Sequence, residues 1–205
     1  MTNTETTAAS CLSDVRAGIA RAARIAGRDA TGVTLIAVSK THTADAIRPL
    51  LDAGQRDFGE NRVAEAADKW PGLRADYEDI RLHLVGQLQS NKAEDAVALF
   101  DCIHSVDRPS LVASLAKAMT AQTKRPDCFI QVNIGDEPQK GGCPLAELPT
   151  LLDTARAAGL PVIGLMCVPP AGIEPAPFFA LLAKLARDHA LPALSMGMSG
   201  DYETA

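Results

Sequence analysis

The stretch "VTLIAVSKTHT", residues 33–43, ends an apolar, largely β-branched run on a lysine. A continuous apolar run of this kind, without alternation, reads as a strand buried on both faces, as in a parallel sheet. Lys40 then stands at the carboxyl end of its strand, where parallel α/β proteins gather their active sites. A lysine in that position has two readings. It carries its charge out to water on a flexible stem, or it offers an amine that, once neutral, attacks a carbonyl and forms a Schiff base.

Six further runs follow: "RDFGE" (56–60), "RLHLVG" (81–86), "CIHSV" (102–106), "CFIQVNI" (128–134), "PVIGLMCV" (161–168) and "PALSMG" (192–197). Helical patterns lie between them, as where Leu111, Leu115 and Met119 recur at four-residue steps. Asp107 is placed to cap that helix, and Asn91 with Glu94 three residues later has the form of a capping box. Pro49 inside "ADAIRPLLDAG" should kink that helix or move its start. A leading helix, "CLSDVRAGIARAARIAG", precedes the first strand.

Strands alternating with helices mean parallel strands and crossover helices. An open doubly wound sheet and a closed (β/α)8 barrel both fit. No G-x-G-x-x-G follows the first strand, which weakens the dinucleotide-binding form of the open sheet. Seven strands are counted before "SMGMSGDYETA", one fewer than an eight-fold barrel needs.

With 47% hydrophobic residues among 205, the chain has mass enough for one sizeable core. A net charge of −5 disfavours a nucleic-acid or anionic-membrane surface. No apolar run is long enough to span a bilayer, and "MTNTETTAAS" lacks the pattern of a signal peptide, so a cytoplasmic protein is expected. Residues 1–9 read as a disordered lead-in. Five scattered cysteines without a C-x-x-C pair read as reduced thiols. His42, His83, His104 and His189 show no metal-binding spacing, so no metal site is expected.

The polar residues at the strand ends are the candidates for chemistry. Beside Lys40 they include Asn61, Gln87, Asn91, Asn133 and the run Ser195 to Ser199. The glycines of "SMGMSGD" let backbone approach a ligand, and Ser199 could cap a following helix whose N-terminus favours an anion. An ordinary turn before a helix would have the same composition. A Schiff-base lysine on the first strand and a phosphate cradle near the seventh together suggest an aldehyde that carries a phosphate.

The motifs "AVSKTHT", "DFGENRVAE", "HLVGQLQSNK", "IHSVD", "QVNIGDEPQKGG", "GLMCVPP" and "LSMGMSGD" come in an order and spacing that resembles the YggS/PROSC family of pyridoxal 5′-phosphate homeostasis proteins. The resemblance covers residues from about 10 onward. It implies a TIM-type (β/α)8 barrel, similar to the N-terminal domain of alanine racemase, with a leading helix. On that reading, residues 10–205 form a single cofactor-binding domain whose last strand and helix are missing from this sequence.

The resemblance also implies a cofactor, pyridoxal 5′-phosphate, held as a Schiff base on Lys40. Asn61 would lie near its ring, while Asn133 and Met166 line the same pocket. Ser195, Met196, Gly197, Met198 and Ser199 would form the wall that meets the ring nitrogen and phosphate. The implied role is to bind and buffer the cofactor and to deliver it to apo-enzymes, as a monomer without catalytic residues. A pyridoxal phosphate-dependent racemase or decarboxylase of the same fold is the alternative. The family pattern continues into an R-x-G-[ST] strand that is absent here, and His42-Thr43 stand where many relatives have Lys-Pro.

Overall fold

The structure, a computed structural model, describes residues 7–205. Its elements alternate throughout: α1 (Ala8–Ile25), β1 (Ala37–Val38), α2 (Ala44–Asp52), β2 (Asp57–Glu60), α3 (Val63–Asp76), β3 (Arg81–Leu84), α4 (Ala93–Leu99), β4 (Cys102–Val106), α5 (Pro109–Gln122), β5 (Asp127–Gln131), α6 (Leu148–Ala157), β6 (Val162–Met166), α7 (Ala176–Asp188) and β7 (Ala193–Ser195). The seven strands form one sheet in chain order, and every neighbouring pair is parallel. The seven strands expected from the sequence are all present. No helix among the described residues is long and apolar enough to cross a membrane.

The sheet is rolled. In a flat sheet, β4 and β7 would lie three strand spacings apart, roughly 14 Å. Yet His104 Nδ1 on β4 is 2.7 Å from Ser195 Oγ on β7. The strands therefore curl into a partly closed barrel, with one core outside between sheet and helices and a smaller one inside. The outer core includes Phe58, Trp70, Leu82, Ile103, Leu115, Ile130, Leu165 and Leu182, all almost fully buried. Inside, Cys102, Phe129 and Met166 form an apolar cluster. The Phe129 ring stacks on His104, with centroids 4.5 Å apart and planes 15° from parallel.

Helix α1 reaches both sides of the opening. Arg16 donates to Gln55 Oε1 at 3.1 Å, and Gln55 Nε2 donates to the carbonyls of Leu35 and Asp57, tying the starts of β1 and β2. On its other flank, Arg21 pairs with Glu203 and Gly18 lies against Tyr202. A Cβ at Gly18 would sit 2.6 Å from the Tyr202 hydroxyl.

Several local expectations change. Helix α1 starts at Ala8, capped by the Thr7 side chain, inside the expected lead-in; residues 1–6 of that lead-in lie outside the described residues. Strand β1 shrinks from the expected 33–39 to two residues, because its partner β2 begins only at Asp57 and no other strand among the described residues pairs with it. Asn91 does not cap α4: it sits in a 3-10 turn, Ser90–Lys92, and the helix starts at Ala93 without a side-chain cap. Asp107 does not cap α5 either, but accepts from Arg108 and from the Gly142 amide. Helix α2 keeps Pro49 in its interior, where the ring removes one amide donor.

Gly164 sits at a tightly packed point of the interior. An added Cβ would lie 2.2 Å from the Ala193 carbonyl oxygen and 2.6 Å from a Phe129 ring carbon. Gly164→Ala should lower the unfolding free energy by about 2 kcal/mol or more, as overpacking of a filled core does. Urea titration of the two proteins checks this; equal midpoints would mean that the interior is looser than its contacts indicate.

Candidate functional site

The turn that carries Lys40 is clamped from beneath. Ser39, at the end of β1, donates from Oγ to Glu60 Oε1 at 2.7 Å and from its amide to the Gly59 carbonyl. Its side chain thus faces the helices, strand alternation turns Val38 the opposite way, and Lys40 lies in the turn that follows. Lys40 is exposed. Thr41 follows in the left-handed region at φ 65°, its amide donating to the Glu65 carboxylate. Lys69 Nζ gathers this turn: it lies 2.8 Å from the Ser39 carbonyl, 3.0 Å from that of His42, 2.8 Å from Glu60 Oε1 and 3.2 Å from Glu65 Oε1.

Helix α3 makes this arrangement possible. Glu65 and Lys69 are one turn apart on one face, and Trp70 donates from Nε1 to Glu60 Oε1 at 3.0 Å. The Thr41 amide bonded to its carboxylate, with Lys69 nearby, holds Glu65 below the usual carboxylate range. Glu60 is fully buried, and the Lys69 side chain is 9% exposed.

A second polar network crosses the barrel interior. His83 Nε2 on β3 lies 3.0 Å from Asp57 Oδ1 on β2. His83 Nδ1 lies 3.0 Å from His104 Nε2 on β4, and His104 Nδ1 lies 2.7 Å from Ser195 Oγ on β7. Both histidines are buried, and burial pushes His104 down to about 3, with the neighbouring His83 and Arg81 adding to the effect. The thiol of Cys102 is pushed well up by the same burial. His83, Cys102 and His104 together bring three possible metal-ligand atoms within 4.8 Å of one another, which their sequence spacing did not indicate. The two ring nitrogens that face each other there are already hydrogen bonded.

The remaining candidates are spread along the rim. Asn61 follows β2 and is half-buried; a Cβ at Gly86 would lie 2.2 Å from its carbonyl oxygen, so the loops after β2 and β3 touch there. Asn133 spends its side chain on its own loop, donating to the Glu137 carbonyl and accepting from the Glu137 amide. Met166 is the buried last residue of β6. After Ser195, Met196 packs on the outer core, Gly197 turns the chain at φ 91°, and Met198 and Ser199 are exposed. The amides of Ser199 and Gly200 have no partner among the described residues, while Asp201 Oδ1 accepts from the Met198 amide.

Lys40 and Ser195 thus stand at the same end of the rolled sheet, on its two edge strands. A cavity of about 380 Å³ lies at the other end, bounded by Arg16, Leu35, Gln55 and Asp57. This cavity and the candidate chemistry are therefore separate places. Asp57 and Lys69 are not among the residues expected from the sequence, and His83 is a buried histidine with both ring nitrogens hydrogen bonded. One signal was available: Glu60 inside "FGEN" closes β2, with Lys69 on the helix that follows.

The domain family described as "Alanine racemase, N-terminal domain" matches residues 11–204. A pyridoxal phosphate homeostasis protein of Pseudomonas aeruginosa is 38% identical, across 97% of this chain and 88% of its own. One from Escherichia coli K12 is also 38% identical, across 95% and 87%. This chain belongs to the pyridoxal phosphate homeostasis protein family. Among solved structures, PipY of Synechococcus elongatus, determined with pyridoxal phosphate bound, is 39% identical. It superposes with a TM-score of 0.74 over 91% of this chain and 92% of its own. A Clostridium difficile alanine racemase, 10% identical with a TM-score of 0.64, shares the fold. Family membership accounts for the alanine-racemase-like barrel.

Two outcomes follow from the buried polar groups. Lys69→Met strands Glu60 in an apolar layer and should cost about 3 kcal/mol or more, read by urea unfolding at neutral pH; a loss well under 1 kcal/mol would mean that water reaches Glu60. His104 binds its proton far more weakly folded than unfolded. Its stabilising share is therefore complete above the unfolded value near roughly 6.5, and it is lost as pH falls from there toward about 3. The unfolding free energy of His104→Gln should accordingly fall less steeply with acid between pH 7 and 4 than that of the parent; parallel curves would show that His104 is not buried neutral.

Proposed function

We propose that this chain binds pyridoxal 5′-phosphate as a reversible store, joined as a Schiff base to Lys40, and that it turns over no substrate of its own. The observation that carries the reading is the placement of Lys40. It follows β1 in a turn braced by Lys69, at the end of the sheet that also holds Ser195. Relatives named for pyridoxal phosphate homeostasis, and PipY solved with that cofactor, support the choice of aldehyde.

The residues fit such a group. Lys40 Nζ supplies the amine, and condensation at the aldehyde carbon releases one water. Ser195 offers a hydroxyl to the ring, and the free amides of Ser199 and Gly200 suit phosphate oxygens. Asn61 and Met166 border the ring from the loop after β2 and the end of β6. Asn133 contributes by shaping its loop rather than by a free side chain. Once bound, the cofactor supplies an electrophilic carbon that an incoming amine can claim in exchange for Lys40.

The reading extends to a cytoplasmic monomer, residues 10–205 acting as one binding unit, that hands cofactor to apo-enzymes through such an exchange. Five free cysteines agree with a reducing compartment. A racemase or decarboxylase is the competing reading. Its support from alanine racemase is a likeness of fold, at 10% identity.

Borohydride reduction of the protein mixed with pyridoxal phosphate, followed by peptide mapping, tests the assignment. The label should fall on Lys40, and Lys40→Ala should lose both the label and the visible absorption of the complex. A label carried chiefly by another lysine would overturn it, and D-amino acid formed from an L-amino acid would favour the racemase.

A further inference from the structure

The interior network has a direction, and its direction decides what Ser195 can offer a ligand. The Asp57 carboxylate only accepts hydrogen bonds, so the His83 nitrogen 3.0 Å from it, Nε2, must carry a proton. A His83 that carries only this one proton presents a bare Nδ1 to its neighbour. The facing His104 Nε2, also 3.0 Å away, must in turn carry the proton between them. That leaves His104 Nδ1 bare, and the Ser195 hydroxyl donates its hydrogen to it across 2.7 Å. His104 stays neutral here, being buried against the stacked Phe129 ring. The hydroxyl hydrogen is thus committed inward, and only oxygen lone pairs remain for the barrel mouth.

We propose that Asp57, through His83 and His104, fixes Ser195 as an acceptor, so that a ligand group facing it must bring a proton; for a pyridine aldehyde phosphate, that group is the protonated ring nitrogen. The choice of ligand rests on the function proposed above, while the polarity of the network does not. Asp57, His83 and His104 are positioning residues in this scheme, and Ser195 alone meets the ligand. The other titratable groups facing the network are Cys102 on β4 and the Arg81–Asp127 ion pair, which joins β3 to β5. Asp57 also borders the cavity at the far end of the strands, so the network runs from that cavity to the rim.

The free protein, labelled with nitrogen-15 in its histidines, gives the first test. Long-range proton–nitrogen correlation at neutral pH should show His83 and His104 both protonated on Nε2, with His104→Gln used for assignment. A proton on His104 Nδ1 would overturn the proposal whatever the ligand proves to be. The second test follows the ring nitrogen of nitrogen-15 pyridoxal phosphate bound to the same protein through a pH titration. It should be protonated at neutral pH, and both Asp57→Asn and Ser195→Ala should lower its pKa by about one unit or more. In the first variant, an amide that can either donate or accept no longer dictates the direction. An unprotonated ring in the parent, or no shift in either variant, refutes the ligand half of the proposal. Absence of any bound-ligand signal instead refutes the cofactor reading, and the tautomers still decide the polarity on their own.

Discussion

The contact between His104 and Ser195 joins strands that a flat sheet would hold far apart, and the rim geometry depends on it. Rolling the sheet brings the carboxyl ends of seven parallel strands to one mouth and puts Lys40 and Ser195 at the same end. The polar contact is held in place by apolar packing: Phe129 lies flat on His104, and Gly164 leaves the room that this stacking needs. An unpaired polar group in such surroundings costs about 1–3 kcal/mol. Here each ring nitrogen of the two histidines has a partner supplied by the chain.

A single four-residue strand serves both polar networks. Alternation along β2 sends Asp57 inward to His83 and Glu60 outward to Ser39, Lys69 and Trp70. A slip of one residue would exchange the faces, leaving Glu60 among interior side chains and Asp57 among helices. The two carboxylates therefore specify the register of β2 more sharply than its single large apolar residue, Phe58, could. The outer network braces the turn bearing Lys40, and the inner one orients a hydroxyl at the same rim.

Much of the architecture could be read from the sequence because buried parallel strands are written as continuous apolar runs. Residues 102–106 and 128–134 announce β4 and β5 in this way. The edge strand was overestimated, since the apolar residues from Val33 to Ile36 look like strand but have no neighbour to pair with. Asn91 and Glu94 had the spacing of a capping box, yet a 3-10 turn took the residues that would have opened the helix. Lys40 could be picked out because a charge closing an apolar run breaks a local pattern. The Asp57–His83–His104–Ser195 network breaks none: its members lie 26, 21 and 91 positions apart, and only strand order and curvature bring them together.

Helix α1 is tied to partners that emerge at very different times. Gln55, which binds Arg16, follows it by 39 positions, whereas Glu203, which binds Arg21, lies 182 positions on. Closing the longer loop costs only about 1.4 kcal/mol more than closing the shorter one, so equilibrium hardly distinguishes the two attachments. Synthesis does, because the ribosome adds about 5–20 residues per second. The Arg16 flank can settle while most of the sheet is still unmade. The groove beside Gly18 stays open to other occupants until Tyr202 has left the ribosome.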